Sequence, residues 1–134
     1  MIPSTNNILS KNVKVETQPS KNYKMHFEYN KISGVCDQLE AMQQVVYKIL
    51  NTERYQHIIY SWNYGIELLD LYGEPINYVC SEVQRRITEA LIQDDRINSV
   101  DNFEFDLSER KTVKVNFTVH TIFGGLEEEK VVNY

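Results

Sequence analysis

From Tyr23 the chain alternates. Tyr23, Met25, Phe27 and Tyr29 take every second position, Asn30-Lys31 interrupts, and Ile32 to Val35 resumes. Period two on both sides of a short polar break predicts a β-hairpin. After Asp37 the period changes. Leu39, Met42, Val46, Ile49 and Leu50 recur at steps of three and four, which marks one face of a helix fading near Asn51-Thr52. Asp37 followed by Glu40 has the spacing of a capping box. Tyr55 to Tyr72 is the most aromatic stretch. Ile58-Ile59-Tyr60 predicts a short buried strand, Gly65 a turn, and Leu68, Leu69 and Leu71 a short helical or irregular piece. Gly73 and Pro75 break that piece, and Pro75 suits the first turn of a helix, where a missing N–H costs nothing. Ile76, Val79, Cys80, Val83, Ile87, Ala90 and Leu91 then predict a second amphipathic helix to about Gln93. Its other face, Glu82, Arg85, Arg86 and Glu89, reads as a solvated surface.

The last third is β. Val100, Phe103, Phe105 and Leu107 precede the turn Ser108 to Lys111, and Val113, Val115, Phe117 and Val119 alternate with polar residues as a long half-buried strand. Gly124-Gly125 predicts a tight hairpin loop. Leu126 to Val132 returns as a final strand, whose Glu127-Glu128-Glu129 run reads as a charged edge. The expected fold is α+β: a mainly antiparallel sheet with two amphipathic helices packed on one face. Residues 1–20, rich in Ser, Thr, Asn, Lys and Pro, form an extended N-terminal arm ahead of a single domain over residues 21–134.

Composition narrows the function classes. The chain has 134 residues, 42% hydrophobic and 25% charged, so it can bury a core as one domain. No apolar run approaches the ~20 residues needed to cross a membrane. The start, MIPSTNNILSKN, lacks a signal-peptide pattern, so the chain is expected to stay in the cytoplasm of the producing cell. Cys36 and Cys80 are 44 residues apart and read as inert, reduced thiols. Residues 1–31 hold five basic and two acidic groups, net +3; the rest hold nine and seventeen, net −8. An acidic body argues against nucleic acid as the main partner.

Catalytic signatures are sparse. There is no Gly-rich phosphate loop, nucleophile elbow or His-Glu-x-x-His motif, and no cofactor is expected. His26, His57 and His120 are scattered, so no metal site is expected either. Glu53, Asp70 and Glu74 flank the aromatic stretch and admit a glycoside-hydrolase pair, although nineteen acids make chance clusters easy to find. Asp94-Asp95-Arg96, between helix and strand, has two readings. It pairs internally, or it displays Arg96 as a recognition corner for a partner's carboxylate or carbonyls.

The run LNTERYQHIIYSWNYGIELLDLYG, the helix SEVQRRITEALIQDDRI, then VDNFEF and VNFTVHTIFG, occur in an order that resembles the XkdS-like baseplate proteins of defective prophages and phage-tail-like bacteriocins. These are relatives of the small wedge protein of contractile-tail phages, and the resemblance covers about residues 21–134. It implies a non-enzymatic structural role in an assembled tail particle. The partners it implies are larger wedge proteins forming a helical core bundle and the tail sheath protein, with hub or tube-initiator proteins as further candidates. The wider family carries a Glu-Pro-Arg motif where this chain has Asp94, Asp95 and Arg96. Arg96 matches, Asp94 keeps the acid, and Asp95 replaces the proline. The partner-binding residues expected are those three together with Leu126, Glu127, Glu128, Glu129 and Val131 of the edge strand. The competing readings are a lysozyme-like cell-wall glycan hydrolase and a cytoplasmic adaptor that binds by strand addition.

Overall fold

The computed structural model describes Lys14, Glu16 and residues 19–134; the expected arm lies outside the described residues except at Lys14, Glu16, Pro19 and Ser20. The elements run β1 (Asn22–His26), β2 (Lys31–Cys36), α1 (Gln38–Leu50), a 3-10 turn (Leu69–Leu71), α2 (Ile76–Ile92), β3 (Ile97–Asp106), β4 (Thr112–Thr121) and β5 (Gly124–Asn133). The fold is α+β, with two antiparallel sheets: the hairpin β1-β2, and β3-β4-β5 with β4 in the centre.

The core forms where β4's alternation meets the helix stripes. Val113, Val115, Phe117 and Val119 point inward and are buried, while Lys114 and Asn116 between them are exposed. Against that face lie Met42, Val46 and Ile49 of α1 and Val79, Val83, Ile87 and Leu91 of α2. Leu39, at the start of the α1 stripe, is only half-buried. Asp37 caps α1, but its carboxylate accepts from the N–H of Gln38 (2.7 Å). The helix ends follow the sequence closely. Asn51 closes α1, and Pro75 precedes the first residue of α2.

The hairpin sits differently from the core strands. β1 ends at His26, so Phe27 and Tyr29 belong to the turn, and Tyr23, Tyr29, Ile32 and Val35 stay exposed. A tilted Phe27–Tyr47 ring contact (4.4 Å) and a polar clamp hold the hairpin to α1. Buried Gln44 of α1 donates through Nε2 to the Tyr23 carbonyl (2.9 Å) and accepts the Met25 N–H at Oε1 (2.8 Å). It thus serves both backbone groups where the β1–β2 register shifts.

Two expected features take another form. Ile58-Ile59-Tyr60 is not a buried strand. It lies in an exposed loop of successive turns, closed by Tyr60 N–H to His57 O (3.2 Å) and Tyr64 N–H to Ser61 O (3.1 Å). Among the described residues no strand lies alongside to receive its backbone groups, so apolar composition alone does not make it extended. The loop is pinched at its base by a parallel bridge between Glu53 and Ile66. Gly65 is needed there: its φ is +90°, and a Cβ would stand 2.5 Å from the Thr52 carbonyl oxygen. The second change is at Gly124-Gly125. Thr121 pairs with Gly124, so Ile122-Phe123 form the two-residue loop and both glycines begin β5.

Val83→Ala and Phe117→Ala should each cost about 1–4 kcal/mol through lost burial and residual cavity. Chemical denaturation of the purified variants measures this, and unchanged stability in both would mean that β4 and α2 do not form the core.

Candidate assembly surfaces

The first surface is the corner after α2. The chain leaves the helix through Asp94 N–H to Leu91 O (3.2 Å) and turns through Ile97 N–H to Asp94 O (3.1 Å). Asp94 then accepts three bonds from one residue: the Arg96 N–H (3.0 Å), Nε (2.9 Å) and Nη2 (2.7 Å). The pair is largely withdrawn from solvent, with side chains 14% and 12% exposed. Arg96's side-chain hydrogen bonds hold the Asp94 carboxyl below its ordinary value against the opposing effect of burial, and Asp94 in turn raises Arg96. Arg96 Nη1 also reaches Ser20 Oγ (3.4 Å), and its carbonyl accepts the Ile122 N–H (3.0 Å). The Arg96 fork is thus engaged inside the domain, and Asp95 is the exposed residue of the three.

The second surface is the sheet. Its two edges are built differently. β3 shifts register twice against β4, between Ile97 and Ser99 and between Asp101 and Glu104, and Asn102 sits there at φ +54°. Such bulges bend an edge and disturb its row of backbone groups. β5 pairs with β4 without interruption from Thr112↔Asn133 to Thr121↔Gly124. It is a long, regular edge.

The acidic run on β5 divides by the pleat. Glu127, Glu129 and Val131 are exposed on the outer face, with Glu129 Oε2 3.1 Å from Lys114 Nζ. Leu126 and Glu128 turn toward α1 and are half-buried. Burial pushes the Glu128 carboxyl up, a Gln43 hydrogen bond offsetting it, and Oε1 has no hydrogen-bond partner among the described residues. Lys130, on the same inner face, is pulled down by burial and donates to Asn51 Oδ1 (3.2 Å).

Two of the three carboxylates considered for hydrolysis, Glu53 and Asp70, serve the loop between the helices. Glu53 accepts the N–H groups of Leu68 (3.0 and 3.2 Å) and Leu69 (3.3 Å). Asp70 holds both ends of the Arg86 guanidinium, Nη2 at 3.0 Å. Arg86 is not the solvated residue its helix face suggests. It is buried, and it also binds Glu82 (3.0 Å) and the Glu67 carbonyl (2.8 Å). Arg85 and Arg86 bring the Glu82 carboxyl down to about 2. Arg54 is another residue that sequence reasoning passed over. It clamps the Gly65 carbonyl through Nε (3.2 Å) and Nη2 (3.0 Å) and Glu89 through Nη1 (2.9 Å). Periodicity places Arg86 beside the apolar stripe, and that position was the one available signal. Nothing in the local sequence marks Arg54.

Among the histidines, His26 lies within 3.1 Å of Ser33 on the hairpin, and His120 pairs across strands with Asp101 (2.9 Å). Among the described residues no three His, Cys, Asp or Glu side chains converge on a metal-binding geometry.

Residues 13–124 match the family described as the contractile injection system sheath initiator. The chain is also similar to the phage-like element PBSX protein XkdS of Bacillus subtilis strain 168. The two are 40% identical over 119 residues, covering 86% of this chain and 84% of that relative.

Arg96→Ala removes the donor that Asp94 is built around and should lower stability by about 2 kcal/mol, the scale of a charged hydrogen bond. The pH dependence follows from the depressed Asp94 carboxyl. Its contribution is full above the ordinary carboxylate range and is lost as pH falls through the lower folded-state value. Wild type should therefore lose stability on acidification more steeply than Asp94→Asn. Superimposable acid-unfolding curves would contradict this.

Proposed function

The chain belongs to the contractile injection system sheath initiator family, and from that membership we propose that it is a baseplate wedge component that seeds the first ring of tail sheath through the open edge of β5. The observation that carries the reading is the contrast between the two sheet edges. Strand addition draws its affinity from main-chain hydrogen bonds, so it needs a straight run of unpaired N–H and C=O groups. The twice-bulged β3 offers no such run, whereas β5 offers ten residues in unbroken register.

Charge selects the incoming strand. Glu127 and Glu129 on the outer face of β5 oppose a second acidic edge of the same kind and attract a basic strand. Glu128, facing inward, keeps β5 from offering a uniformly apolar inner row. The larger wedge proteins are assigned to the Asp94–Arg96 corner, on the β3 side of the sheet and beside the β4–β5 loop. There the internally bonded pair fixes the backbone, and Asp95 is left to meet a basic partner group.

The hydrolase reading has no comparable support, since Glu53 and Asp70 each hold the loop between the helices in place.

Removing β5 outright would take Val132 from the core, so substitution of its outward side chains is the sharper test. Glu127→Lys with Glu129→Lys breaks the exposed Lys114–Glu129 pair and should cost no more than about 1 kcal/mol, leaving the domain folded. The same variant should yield baseplates that contain this chain but lack sheath. Sheathed tails at the wild-type frequency, counted by electron microscopy, would refute the assignment of β5.

A further inference from the structure

The loop between Glu53 and Glu67 is held firmly and presents apolar side chains to solvent. Its base is closed by Arg54 N–H to Ile66 O (3.2 Å) and Ile66 N–H to Thr52 O (3.0 Å), and the Arg54 guanidinium ties Gly65 to Glu89 of α2. Inside the loop, Tyr60 stacks on Tyr64 with ring centroids 4.6 Å apart. The tip is uncovered among the described residues. Ile58 is 102% exposed, Ile59 82% and Trp62 77%, with Tyr55 exposed beside them.

Charge is missing from this segment. Tyr55 to Ile66 contains no Asp, Glu, Lys or Arg, although a quarter of the chain is charged and twelve residues at that frequency would carry three. A solvated loop gains nothing from this composition. A docking element gains in two ways: Trp and Tyr are the side chains that dominate binding energy at interface centres, and a loop already fixed in shape loses little entropy on binding.

We propose that the Tyr55–Trp62 tip is a docking finger that seats in an uncharged apolar groove, rimmed by basic side chains, on another protein chain of the baseplate. The inference rests on the baseplate reading and adds the surface by which the chain is anchored there. The basic rim follows from the charges around the finger. Asn63 Nδ2 donates to Gln93 Oε1 (3.2 Å), bringing the loop's return limb against the end of α2, where Asp95 is exposed and makes no ion pair among the described residues. A bilayer is the poorer occupant. Of the cations nearest the loop, Arg54 and Arg96 are engaged within the domain and Lys48 is half-buried beside Asn63 and Tyr64, away from the tip, and a body of net −8 is repelled by anionic lipid.

The test uses full-length chain in the producing bacterium. Ile58→Ser with Ile59→Ser, and separately Trp62→Ala, should leave the melting temperature of the purified protein unchanged. The amount of the chain in purified particles should fall about tenfold or more, as expected for loss of an interface hot spot. Incorporation at the wild-type level overturns the inference. A photo-crosslinking amino acid placed at Trp62 gives a readout that does not depend on the variants folding. An adduct with a different chain of the particle supports the finger, whereas adducts with copies of this chain alone, or none in particles that contain it, overturn it. Wild-type flotation with vesicles of phosphatidylethanolamine and phosphatidylglycerol, or self-association that Trp62→Ala abolishes in sedimentation velocity, also overturns it. The baseplate reading fails separately, if the wild-type chain is absent from particles.

Discussion

Contact between the inner face of β4 and the stripes of α1 and α2 decides the orientation of everything else. Once Val113, Val115, Phe117 and Val119 face the helices, the pleat turns Lys114 and Asn116 outward and leaves β3 and β5 as the two lateral edges. The same contact sets the end of α2 beside β3, which fixes where the Asp94–Arg96 corner can lie. A shift of β4 by one residue would exchange its buried and exposed sets. The continuous ten-pair register with β5 opposes that shift.

Polar side chains fasten what the apolar core does not reach. Arg54, Arg86 and Arg96 each hold a carboxylate, and Arg54 and Arg86 a backbone carbonyl as well, while Gln44 holds two backbone groups of β1. Arg54 and Gln44 bind a loop and a hairpin that display apolar residues outside, whereas the segment bound by Arg86 also buries Leu71. Polar anchoring on the inside and apolar display on the outside is the reverse of ordinary loop construction. It is most pronounced in the segment Glu53–Glu67.

Much of the frame was legible because periodicity reports burial. The steps of three and four through Met42, Val46 and Ile49, and through Val79, Val83 and Ile87, locate both helices. Alternation locates β4. Periodicity fails where an apolar residue is not buried. Tyr23 and Tyr29 alternate correctly yet remain exposed, and Ile58-Ile59 has the composition of a strand but, among the described residues, no partner strand. It also fails where a charge is buried, since the environment of Arg86 is created by Asp70 and Glu67 from a distant loop. The corner residues Asp94, Asp95 and Arg96 were placed at the helix end from sequence. Which of them turns inward depends on a turn of the backbone, and only Asp94 and Arg96 do so.

The bulges in β3 also bear on directionality. A sheet with two equivalent edges can grow either way, and its first additions are disordered in sense. Here one margin is bent at two places and the other is straight, so the proposed strand addition has one favoured side. On that proposal an incoming strand would follow the line of β5. In the proposed sheath-seeding role the domain would thus be a one-sided template, and the hand of any added strand would follow from the right-handed twist common to L-chains.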